Sequence, residues 1–217
     1  VNNLSAAGIA DTIERMQKAI DNAQILMLPG GFSAGDEPDG SGKFIAVTLR
    51  NARIAEAIER LLGERDGLAL GICNGFQALI KLGLLPNGHI QTIERDDPTL
   101  TFNAIGRHVS TMVRTRVTST LSPWLSLCEV GDVHTIPVSH GEGRFVADEQ
   151  TLRRLMENGQ IATQYVDEHG EPQAGIPYNP NGSACAIEGI CSPDGRVFGK
   201  MGHSERIGTH IAKNVPG

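Results

Sequence analysis

Apolar and polar positions alternate along this chain in two registers. Behind Ser5, which can cap a helix, "AAGIADTIERMQKAI" places Ile9, Ile13, Met16 and Ile20 on one helical face. "QILMLPGG" then reads as a short buried strand ending in a glycine turn. "GKFIAVTLRNARIAEAIERLLGE" returns to helical spacing, with Ile54, Ala57, Ile58, Leu61 and Leu62 forming one apolar stripe. The strand "GLALGI" leads to Cys73, where a further helical pattern begins. Strand, helix, strand, helix in that order predicts parallel strands joined by crossover helices. The two glycine-rich turns, "PGGFSAGD" and "ICNGF", fall at the carboxyl ends of those strands, where open α/β sheets bind ligands.

The second half changes character. "STMVRTRV", "VHTIPVS", "IATQYV", "ACAIEGI" and "RVFGKMG" are strand-like, separated by turn signals such as "NPNG" and "SPDG", and "DEQTLRRLMENG" is a short helix. The predicted fold is therefore one α/β domain over residues 1–217. Its doubly wound, mostly parallel sheet is flanked by helices and extended by antiparallel strands from the second half. Such a domain normally opens on a strand, but this chain reaches a helix after "VNNL", as expected of a fragment cut from something longer.

Composition narrows the partners. A formal charge of -6 and a pI near 5.6 supply no global field for nucleic acid or an anionic membrane, and favour small polar substrates or protein partners. The most apolar window, around Cys73, contains Asn74, Gln77 and Lys81, which argues against a membrane span. Val1 to Ala10 has no signal-peptide pattern. Cysteines at 73, 128, 185 and 191 form no CxxC pair and no metal motif, which points to a reduced, cytoplasmic protein. Cys128, Cys185 and Cys191 are expected to pack as small hydrophobes.

Cys73 is different, because Gly71 and Gly75 flank it where strand gives way to helix. A nucleophile on such an elbow needs small neighbours, and its thiolate gains from the helix amino terminus. A base must come from elsewhere, and seven histidines compete. His203 has Glu205 two residues on, and in extended backbone that carboxylate shares its face and can orient the imidazole. His140 and Glu142 make the same H-x-E pattern in "SHGEGRF", so spacing leaves two candidates. The glycines of "LPGGFSAGD" offer N–H groups to a developing oxyanion, with the amide of Asn74 as second donor.

"LPGGFSAGD", "GICNGFQAL", "SHGEGRF" and "GKMGHSER", in this order between Gln24 and Arg206, closely resemble the class I glutamine amidotransferase domain of phosphoribosylformylglycinamidine synthase, an enzyme of purine biosynthesis. The resemblance implies Cys73 as nucleophile, His203 as general base and Glu205 as its orienting carboxylate. It also implies oxyanion and glutamine-binding positions at Gly30, Gly31, Phe32, Asn74, Gln77, His140 and Gly141. L-Glutamine would be hydrolysed through a cysteine thioester with no cofactor or metal in this domain. The ammonia would pass to a synthetase domain that uses ATP and magnesium to convert formylglycinamide ribonucleotide to its amidine. No GxxxxGK[ST] occurs, so that synthetase is expected outside these residues. Ala34 and "EPDGSGKF" look more like a long single-chain synthase, and the family's opening strand has no counterpart before Val1. Two other readings keep the fold: a cysteine-elbow protease or deglycase, whose histidine commonly follows the cysteine where this chain has Asn74, and a non-catalytic docking domain.

Overall fold

A computed structural model describes residues 2, 4–31, 41–206 and 208–209. The expected binding residue Phe32, and most of the "GGFSAGD" turn with it, lies outside the described residues.

The first helix, α1 (Ala6–Asn22), starts where expected, with the Ser5 hydroxyl accepting the Gly8 N–H at 3.1 Å. Of its apolar face only Ile20 is buried; Ile13 and Met16 pack partly against the core and Ile9 remains exposed. After β1 (Ile25–Leu28) the long helical pattern divides into α2 (Lys43–Leu49) and α3 (Ala52–Gly63). The break has a local cause: the Asn51 side chain accepts the Arg53 N–H and caps a new helix. On α3, Ile54, Ala57, Ile58 and Leu61 are fully buried, as the stripe required. Each large aliphatic side chain so buried contributes roughly 1.5–3 kcal/mol.

Strand β2 (Leu68–Ile72) carries the chain to Cys73 and α4 (Asn74–Leu82), which stops at Gly83 in the left-handed region (φ 83°) before the single turn α5 (Leu84–Asn87). The second half supplies β3 (Thr99–Phe102), β4 (Val109–Val117), β5 (Val133–His140), β6 (Glu142–Val146), α6 (Glu149–Glu157), β7 (Ile161–Val166), β8 (Ile187–Cys191) and β9 (Val197–Lys200). The main sheet has the order β1-β2-β9-β8-β7-β4-β5. Pairs β1–β2 and β2–β9 are parallel, and the remaining pairs form the expected antiparallel extension.

Two features depart from the sequence reading. The last strand does not simply lengthen the antiparallel part; it inserts beside β2 and runs parallel to it. "SHGEGRF", whose two glycines suggest a loop, instead ends β5 with its first residues and forms β6 with those after Gly141, paired with β3 in a small second sheet. No helix among the described residues is long and apolar enough to cross a membrane.

The glycines around Cys73 have a packing cause. A side chain at Gly75 would overlap the Leu28 carbonyl, and one at Gly71 would come within 2.7 Å of the Gly75 backbone. The amino end of α4 thus rests directly on the ends of β1 and β2, which a Cβ would prevent. The thiol is positioned by backbone contact, not merely given room.

Candidate active site

Cys73 adopts φ 53° and ψ -107°, a conformation that non-glycine residues rarely hold and that costs of order 1–3 kcal/mol. Its N–H is fixed to the Lys200 carbonyl at the end of β9, at 2.8 Å. The sulfur is nearly buried and lies 3.9 Å from the Ser139 carbonyl oxygen. Burial pushes the thiol above its ordinary pKa. The N–H of Asn74, the charge of Arg206 and the N–H of Gly31 pull it down, while Glu205 pushes it up. Gly31 (φ 120°) and Asn74 therefore aim backbone donors at the sulfur, the arrangement an oxyanion forming beside it requires.

His203 follows β9 and is 2 % exposed. Its N–H donates to the Pro137 carbonyl at 2.9 Å, and its Nδ1 lies 2.6 Å from Glu205 Oε1. A carboxylate oxygen accepts, so the ring proton is on Nδ1 and the Nε2 lone pair is free. That Nε2 is buried without a hydrogen-bond partner. The pairing forms in a turn closed by the Arg206 N–H on the His203 carbonyl, not in the extended backbone expected from the spacing. Gly30 joins the two halves of the site: a Cβ there would lie 2.5 Å from His203 Cε1 and 3.3 Å from Cys73 Cβ. Thiol and imidazole, distant in sequence, face one cavity.

The second H-x-E pair resolves differently. His140 is 3 % exposed, and its Nδ1 meets Asn103 Oδ1 at 3.0 Å. Asn103 Nδ2 donates to the carbonyls of His140 and Arg107, which fixes Oδ1 as the acceptor and places the His140 proton on Nδ1. Burial, then the charges of His108 and His203, lower its pKa to about 4. Glu142 does not reach this ring, because Gly141 separates two strands; its Oε2 takes the Ser41 N–H at 2.8 Å. Of these two histidines, only His203 has a carboxylate on its ring.

Gly31, Cys73, Asn74, Gln77, His140, Gly141 and His203, all proposed from the sequence, line this one cavity, and Gly30 abuts it. Gln77, one helical turn beyond Cys73, donates Nε2 to the Glu142 carbonyl at 2.6 Å and leaves Oε1 buried without a partner. With His140 Nε2 and His203 Nε2, it leaves buried polar atoms unsatisfied in a shared space, as in a site built for a polar ligand. Ser41, Ser139, Glu142 and Arg206 also line the cavity, and Asn103 orients His140 from behind. Of these five only Glu142 is weighed from the sequence, as a carboxylate for His140, although "HSER" and "SHGE" place Arg206 and Ser139 beside recognised motifs. Of the other cysteines, Cys191 is buried and its thiol is pushed up to about 12 by burial and then Asp194. Cys128 is half-buried and Cys185 is exposed, so the packing expectation fails for Cys185, which occupies a left-handed turn at φ 50°.

A cysteine on a strained strand-to-helix elbow, a carboxylate-held imidazole and two convergent amides define a protein of the cysteine-dependent amidotransferase class. Residues 5–217 match the model of the CobB/CobQ-like glutamine amidotransferase domain, and the chain belongs to that family. It is 37% identical over 197 residues to phosphoribosylformylglycinamidine synthase subunit PurQ of Aquifex aeolicus, covering 90% of this chain and 78% of the relative. Identity to the subunit of the same name from Methanococcus maripaludis is 39% over 199 residues, covering 91% and 70%. In three dimensions it resembles the solved PurLQS structure from Thermotoga maritima, with a TM-score of 0.64 and 31% identity, over 86% of this chain and 71% of that one.

Proposed function

We propose that this domain hydrolyses L-glutamine to glutamate and ammonia, and that the ammonia is used by a synthetase partner to convert formylglycinamide ribonucleotide to its amidine in purine biosynthesis. The observation that carries the reading is the free Nε2 of His203, held by Glu205 and facing the cavity that Cys73 enters. Its relatives' name and the PurLQS likeness point to the synthetase as partner.

His203 takes the Cys73 proton, and the thiolate attacks the side-chain carboxamide carbon of glutamine. The carbonyl oxygen becomes an oxyanion between the N–H groups of Gly31 and Asn74. Nε2–H of His203 then protonates the departing nitrogen, the C–N bond breaks, and ammonia leaves behind a glutamyl thioester. Water, losing a proton to the same nitrogen, cleaves the C–S bond, releases glutamate and restores the thiol. Gln77 and the wall of His140 and Gly141 hold the amino-acid end. Proton transfer of this type supplies about 10²- to 10⁴-fold, and positioning with the oxyanion site supplies much of the rest. These side chains, the two backbone amides and water carry every step; ATP and magnesium would belong to the synthetase. The four unpaired cysteines suit a cytoplasmic enzyme.

The domain is expected to work weakly alone, since uncoupled hydrolysis wastes glutamine. Glutamate release by wild type and Cys73→Ala, each with and without the synthetase, tests the reading. Cys73→Ala should abolish release, and the synthetase should stimulate wild type. Undiminished release by Cys73→Ala, or labelling by a glutamine-analogue electrophile at another residue, would overturn it.

A further inference from the structure

Glu188, in β8, has no exposed surface, yet no ion pair among the described residues includes it. Its Oε1 accepts the Gly202 N–H at 2.6 Å, its Oε2 accepts the Thr163 hydroxyl, and its main-chain carbonyl accepts the Met201 N–H at 3.1 Å. Gly202 is clasped: a Cβ there would overlap Ile136 and lie 2.9 Å from Glu188 Oε1. The next residue is His203. Both side-chain oxygens of Glu188 are engaged by buried donors, and an apolar side chain of the same reach would leave the Gly202 N–H and the Thr163 hydroxyl without this acceptor. One of these two donors belongs to the turn that carries His203.

The geometry points to Glu188 as a positioning residue that acts through Gly202 to aim the His203 imidazole at Cys73. The imidazole then hangs on three restraints. Glu188 holds the peptide before it, the Pro137 carbonyl holds its own N–H at 2.9 Å, and Glu205 holds Nδ1 at 2.6 Å. The last fixes ring orientation and proton; the first two fix where the ring begins. The carboxyl oxygen grips the Gly202 N–H at 2.6 Å, so the turn stays in register although no regular strand continues past Lys200. Release of this restraint lets the imidazole drift, and displacement of a reacting group by about 1 Å costs on the order of 10²-fold in rate.

The inference rests on the glutaminase reading for the role of His203, and its test separates the two. Full chain with synthetase present is assayed as wild type, Glu188→Met and Glu188→Gln. Glu188→Met removes the acceptor while filling the space. It is expected to lower kcat by about 10²-fold with KM for glutamine within about threefold, while thermal denaturation still shows a cooperative fold. Glu188→Gln keeps an oxygen for Gly202 and is expected to recover to within about tenfold of wild type. Alkylation of Cys73 by iodoacetamide at neutral pH, which needs no glutamine, should slow both in Glu188→Met and in His203→Ala. An unchanged kcat in Glu188→Met overturns the proposal, as does equal loss in both variants, or an unchanged alkylation rate. Should Glu188→Met not fold, Thr163→Val strips the other donor from the carboxylate, and a kcat unchanged there overturns it equally. If wild type releases no glutamate yet alkylation still depends on Glu188, the glutaminase reading fails and the positioning role stands.

Discussion

Glu205 Oε1 lies 2.6 Å from Nδ1 of His203 and so decides which ring nitrogen is left to act. Glu205→Gln keeps the shape but can donate to Nδ1, which moves the ring proton to Nε2, where the nitrogen no longer accepts from Cys73. We expect kcat to fall about 10²- to 10⁴-fold with little change in KM, measured as glutamate release in the presence of the synthetase.

Gly30 separates thiol and imidazole by the thickness of a missing methyl group. In Gly30→Ala the new Cβ meets His203 Cε1 at 2.5 Å and Cys73 Cβ at 3.3 Å, so the ring must turn away. Activity should drop by about 10²-fold, and thermal denaturation should show the fold retained.

His140 gives the site a pH-dependent stability. Its folded pKa of about 4 lies below the ordinary 6.5, so between those values the unfolded chain binds the additional proton. Stability from this group is complete above pH 6.5 and is lost as pH falls towards 4, by up to about 3 kcal/mol. Urea denaturation of wild type and His140→Gln from pH 7 to pH 4 should show a steeper loss in wild type, with the curves converging at the acid end. Parallel curves would refute the assignment.

Cys191 and Cys185 should separate cleanly by chemistry. The first is buried with a thiol pushed up to about 12; the second is exposed. Mass spectrometry of the native Cys73→Ala variant after brief maleimide treatment should find Cys185 modified and Cys191 intact until denaturant is added.

Local features were legible in the sequence where local physics determines them. The α3 stripe, the Ser5 cap and the glycine-flanked elbow each depend on residues a few positions apart. Asn51 carried a capping signal that divides the long helical pattern, outweighed by the continuous apolar spacing on either side. The insertion of β9 beside β2 was not legible, because strand neighbours are chosen by tertiary packing. The motif residues Cys73 and His203 meet at one cavity, with Glu205 on the imidazole, but the different partners of the two H-x-E pairs rest on Asn103 and on the strand change at Gly141, neither of which spacing encodes. Glu188 carries no motif at all; only its contact with Gly202 reveals it.

The parallel contact of β2 with the final strand has a consequence for shortened chains. The Cys73 N–H waits for the carbonyl of Lys200, and the imidazole arrives only with the residues just beyond. A chain truncated before Val197 lacks the carbonyl that fixes the Cys73 N–H, the imidazole beside the thiol and one member of the central sheet. A chain truncated there is therefore expected to release no ammonia from glutamine, because strand and imidazole are lost together.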